Sequence, residues 1–150
     1  ESLIPLRALA LYGHLTGKRK VKQSVKRAAE LFLQRRLFKR LRDGQVMNPD
    51  FLDFHYPCYW RYDILFALKV MSEAGMIRDE RCADALNLLE SKRLDDGGWP
   101  AEKRFYRVTK VGAGSGCDWV CWGGVDKLHL NEWGTADALA VLRAAGRLDS

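Results

Sequence analysis

A chain of 150 residues with 47% hydrophobic residues, 29% charged residues and a net charge of +6 reads as one folded domain, because about 70% of the unfolded surface is buried at this length and the composition excludes disorder. No apolar run approaches the roughly 18 residues of a membrane span, and the start at Glu1 carries neither a signal sequence nor an initiator Met. The expectation is a cytoplasmic protein, or a fragment of a longer repeat array, since helix-periodic sequence reaches both ends.

In chain order, the first helix is expected from about Ser2 to Leu15. From Lys18 to Arg42 there are eleven Lys and Arg against one acid, Glu30. Val21, Val25, Ala28, Ala29, Phe32, Leu33, Leu37 and Leu41 recur there at helical spacing, so the cations populate the opposite face of an amphipathic helix expected from about Lys20 to Leu41. Such a helix attracts phosphate or an acidic partner, and it also suits a solvated outer face; without a recognition motif or interleaved aromatics, nucleic acid is not the favoured partner.

Two further helices are expected from about Tyr59 to Ala74 and from Asp79 to Arg93. Asp79 sits where an N-cap belongs, Lys92 and Arg93 complement the helix dipole, and Asp95-Asp96-Gly97-Gly98 stops the helix. Between Pro100 and Leu130 the pattern breaks for about thirty residues, far beyond the usual four to six or so of a connection. Within it Phe105-Tyr106-Arg107-Val108-Thr109-Lys110-Val111 predicts a short β-hairpin, and Gly112 to Gly116 predicts a turn, since no Gly-Lys-Ser/Thr follows. The last helix starts near Asn131 or Glu132, with Asn131 as its cap.

Two of these helices read alike. Aligned on Ala67-Leu68 and Ala138-Leu139, each has an aromatic five residues earlier, Tyr62 or Trp133, and a glycine eight residues on, Gly75 or Gly146, where a C-cap needs positive φ. Leu6 to Tyr12, ending near Gly17, is a fainter third copy. Units of this size cannot bury their own apolar faces and stack on their neighbours. Fold class is therefore all-α, built of helical hairpins.

Cys58 and Cys82 fall at or beside helices, where small buried thiols are ordinary core residues. Cys117-Asp118-Trp119-Val120-Cys121 with His129 offers thiolate, carboxylate and imidazole to zinc, but a lone Cys-x-x-x-Cys without a second pair does not define a site. His14 and His129 read as packing or surface residues, and no Ser-His-Asp arrangement is present.

Asp95-Asp96-Gly97-Gly98-Trp99 after a helix, with an Ala-Leu helix opening the next unit, resembles the repeats of the squalene cyclase and protein prenyltransferase superfamily, the α/α toroid. The likeness spans roughly Ala28 to Arg147 and is strongest at His55 to Asp63, at the Gly-Gly-Trp turn and at Asn131-Glu132-Trp133. It implies inner and outer helices alternating round a cavity whose mouth is built by the N-terminal ends of the inner helices.

The resemblance does not bring the family's catalytic groups with it. Protonating cyclases carry Asp-x-Asp-Asp before Thr-Ala; here Asn131-Glu132-Trp133-Gly134 precedes Thr135-Ala136. The ionising synthases bind magnesium diphosphate on Asp-Asp-x-x-Asp, whereas Asp95-Asp96-Gly97-Gly98-Trp99 lacks the last Asp and sits in a turn. Asp118, Cys121 and Trp122-Gly123-Gly124 echo the zinc prenyltransferases without their spacing or a placed His.

An aromatic-rich rim remains: His55, Tyr56, Tyr59, Trp60 and Tyr62 before one helix, Trp119, Trp122 and Trp133 before or at the start of another, with Asp63, Asp118 and Glu132 as polar points. Such a rim suits an apolar or isoprenoid-like ligand, and it also suits plugs for the hairpin mouths, as Trp99 is expected to be under its own turn. The expected function is a non-catalytic or incomplete toroid domain binding such a ligand at the rim, with no catalytic residue, metal or cofactor assigned. Two alternatives stand beside it: a cyclase or prenyltransferase module whose carboxylates lie outside this chain, and an interaction scaffold using the basic helix 18–42 on an acidic partner.

Overall fold

A computed structural model of the chain describes residues 3–59, 61–106 and 122–148. It is helical, without a β-sheet among those residues: α1 spans Leu3–Thr16, α2 Arg19–Leu33, α3 Ile64–Glu73, α4 Ala83–Ser91 and α5 Glu132–Ala145. Short 3-10 turns at Pro49–Phe51 and Glu80–Cys82 precede α3 and α4. The strand-like segment 105–111 and the glycine run 112–116 fall almost wholly outside the described residues; Phe105 and Tyr106 are not in a strand.

The helix ends follow from local chemistry. Asp63 caps α3 by accepting the Phe66 N–H, Asp79 caps the turn before α4 by accepting the Arg81 N–H, and Asn131 caps α5 by accepting the Gly134 N–H. Gly17, Gly75 and Gly146 close α1, α3 and α5 at φ of +65°, +72° and +73°, a region that disfavours any side chain.

Three helices are shorter than their periodicity predicts; α4, expected from Asp79 to Arg93, is α-helical over Ala83–Ser91, with a 3-10 turn before it. The basic helix expected to about Leu41 stops at Leu33, and Arg36 and Leu37 turn at φ of 44° and 69°. The helix is closed by the Leu37 N–H, which donates to the Phe32 carbonyl at 2.9 Å, and Leu37 and Phe38 then both lie in the core. The chain then doubles back through the Lys39–Val46 bridge, and Arg36 and Lys39 pair with Asp84. Residues 18–42 therefore form no continuous basic helix. Likewise α3 starts at Ile64 rather than Tyr59, after a cis Tyr56–Pro57 bond and a left-handed Tyr59 (φ 42°).

Packing places α3 at the centre. It is buried on nearly every residue and lies between α1 and α5, while α2 packs on α1 and α4 on α3. The helices α1 and α3 run the same way. Leu3 shares a cavity with Tyr62 at one end, and Ala10 and Gly13 share another with Ala74 to Met76 at the other. Ion pairs cross the row: Arg7 with Glu73 at 2.6 Å and Lys69 with Asp137 at 2.6 Å. Trp99, fully buried, donates its indole N–H to the Leu89 carbonyl at 2.7 Å and so holds the turn against the end of α4.

Candidate functional site

Before α3 the chain folds His55 over the helix N-terminus. Asp63 Oδ1 accepts the Phe66 N–H at 2.7 Å, while Oδ2 accepts the His55 backbone N–H at 3.0 Å and lies 2.8 Å from His55 Nδ1. Both residues are buried. Burial opposes the charged imidazole, but the Asp63 hydrogen bond and charge outweigh it, so the His55 pKa is raised. His55 Nε2 is buried and has no hydrogen-bond partner, and the ring meets Phe105 edge-on at 5.0 Å.

Cys58 completes this cluster. The ligand atoms of His55, Cys58 and Asp63 lie within 4.8 Å of one another, making them a set that could hold a metal ion. The donor types suit zinc. Burial, then the charges of Asp63 and Asp137, push the Cys58 thiol up, and its S–H meets the His55 carbonyl at 3.6 Å. A thiol held this way is not a ready nucleophile. The cluster acts as a buried lock on the entry to α3.

The predicted rim divides into parts. Tyr56, Trp122 and Trp133 come together: Tyr56 stacks on Trp133 at 5.8 Å and 11°, and Trp122 meets Tyr56 at 5.6 Å and Trp133 at 5.8 Å. Tyr62 points elsewhere, packing on Phe32 and Phe51 and donating its hydroxyl to the Leu37 carbonyl. Tyr59 is half exposed, and Glu132 is exposed in the first turn of α5. Trp60, Asp118, Trp119, Cys117 and Cys121 lie outside the described residues.

Asn131 ties the aromatic cluster to α5. Its Nδ2 donates to the Trp122 carbonyl at 2.6 Å and the Gly124 carbonyl at 3.2 Å while its Oδ1 caps the helix. Gly123 is required beside it, at φ of +79°, since a Cβ there would stand 2.6 Å from Asn131 Nδ2. The cap was legible as Asn before a helical run; the anchoring of Trp122 was not, because it joins two parts of an irregular loop.

An apolar open space lies elsewhere on the same row of helices. A groove of about 520 Å³ is lined by Ile4, Arg7, Ala8, Leu11, His14 and Glu73. Sequence reasoning missed it. The signal was present as Ile4, Ala8, Leu11 and Leu15, an apolar stripe on the side of α1 opposite its buried Leu6, Ala10 and Gly13.

The chain matches no family model, no curated protein and no solved structure. The described residues present a closed His–Cys–Asp lock, an aromatic cluster and an open apolar groove.

Proposed function

We propose that this chain is a non-catalytic helical-hairpin domain of the α/α-toroid kind that binds an apolar, isoprenoid-like molecule in the groove along α1, rather than at the aromatic rim that the sequence suggests. The observation that carries this reading is α1, whose Ile4 and Leu11 remain 42% and 60% exposed beside the 520 Å³ groove. A helix apolar on a second side, with that side left open, has surface to bury against something. The groove volume falls within the roughly 300–1,000 Å³ of small-molecule sites. Branched methyl groups of a prenyl chain match Ile, Ala and Leu walls. Arg7 and Glu73 in the groove neutralise each other, which favours an uncharged chain over an ionic one.

Thermal unfolding with farnesol as a neutral isoprenoid tests this. A ligand at a hundred times its Kd adds about 2.7 kcal/mol and raises the midpoint by several degrees. Ala8→Trp fills the groove from an exposed position and is expected to abolish the shift without moving the ligand-free midpoint. A shift that survives Ala8→Trp but is lost in Trp133→Ala would move the ligand to the aromatic cluster. No shift in the wild-type chain contradicts the reading.

A further inference from the structure

At the α1–α2 corner an exposed apolar ridge lies between cations. Leu15 is 74% exposed and Leu11 60%, one helical turn apart. On one side of the ridge Lys18 donates to the Tyr12 hydroxyl at 3.1 Å and lies over its ring at 5.5 Å. On the other, Lys22 and Lys26 share a shallow cavity with His14, which in turn lines the groove with Leu11. Arg19, Lys22 and Lys26 follow one edge of α2 at i, i+3 and i+7. None of these three forms an ion pair among the described residues, whereas Glu30, further along α2, is taken by Arg81.

We infer that this corner docks the protein on an anionic lipid bilayer, with Leu11 and Leu15 entering the headgroup boundary and Lys18, Arg19, Lys22 and Lys26 meeting the lipid phosphates. Charge complementarity selects an anionic partner. The two leucines select a bilayer over nucleic acid, because a phosphate backbone gives nothing in return for exposed aliphatic side chains, while the headgroup boundary buries them. Tyr12 adds an amphipathic ring of the kind that sits at headgroup level. The two readings share Leu11, but vesicle binding is read out without any isoprenoid and is tested at Leu15, Lys22 and Lys26, which do not line the groove.

Co-sedimentation with vesicles tests it, comparing phosphatidylcholine alone with phosphatidylcholine containing phosphatidylserine. The protein is expected to sediment with the anionic vesicles only and to be released by added salt. Lys22→Glu/Lys26→Glu and, separately, Leu15→Ser each change exposed side chains; the lysine pair is expected to weaken vesicle affinity by about thirtyfold or more and Leu15→Ser by about tenfold, while circular dichroism stays unchanged. Binding to heparin serves as the Coulombic control, and Leu15→Ser should leave it unaltered. Absence of sedimentation overturns the inference. So does vesicle binding that the lysine changes abolish and Leu15→Ser leaves intact, since that pattern reports charge attraction without insertion.

Discussion

Trp99 shows how much one residue in a turn can fix. Its indole is fully buried and its N–H is bonded to Leu89, so Trp99→Ala should cost about 3–5 kcal/mol by urea unfolding. A loss under about 1 kcal/mol would contradict its place as the plug of the turn. The buried His55–Asp63 pair gives a second test. A pKa raised in the fold means the folded state holds the proton more tightly, so the contribution is full below the ordinary His value of about 6.5 and disappears as pH rises through the folded-state value. Urea midpoints from pH 5 to 9 should fall across that window in the wild-type chain, and His55→Gln should flatten the fall; equal slopes would contradict the pairing. Trp99 was legible because Gly-Gly-Trp after a helix is a local pattern. The His55 partnership was not, because it needs the irregular chain between residues 55 and 63 to turn back on the α3 cap, and the sequence alone presents Asp63 as a polar point on a rim.

At the scale of elements, periodicity located all five helices of the described residues but overestimated the lengths of α2, α3 and α4. The left-handed turn at Arg36 and Leu37 ends α2 where the apolar spacing alone would have carried it on, Asp63 opens α3 later than the aromatic run suggested, and a 3-10 turn delays α4. These differences arise at helix ends, where turn and cap geometry overrides apolar spacing. They also separate two of the predicted rim residues, since a chain that is not helical from residue 59 sends Tyr56 and Tyr62 to different neighbours. The N-cap of α5 can be separated from its loop anchor by substitution. Asn131→Ala should lose both and destabilise by about 1–2 kcal/mol or more. Asn131→Asp keeps the cap acceptor but sets a carboxylate against the Trp122 and Gly124 carbonyls, so tryptophan emission should shift to the red with helix content retained. Unchanged emission in Asn131→Asp would contradict the anchor.

For the whole molecule, the arrangement is a row of α1, α3 and α5 with α2 and α4 packed behind the first two. The Ala-Leu helices that read alike in sequence, α3 and α5, are neighbours in that row, joined by Lys69 and Asp137. Among the described residues no helix is long and apolar enough to cross a membrane. The apolar side of α1 that remains open is the feature the account turns on, and a repeat pattern cannot reveal it, because periodicity says which residues are apolar and not which of their faces finds a partner. The most direct test is photo-crosslinking with a diazirine analogue of farnesol, followed by mapping of the adducts by mass spectrometry. The account predicts labelling in α1 at Ile4, Ala8 and Leu11, competed by unmodified farnesol and lost in Ala8→Trp. Labelling confined to Tyr56, Trp122 and Trp133, or scattered without competition, would contradict a ligand seated in the groove.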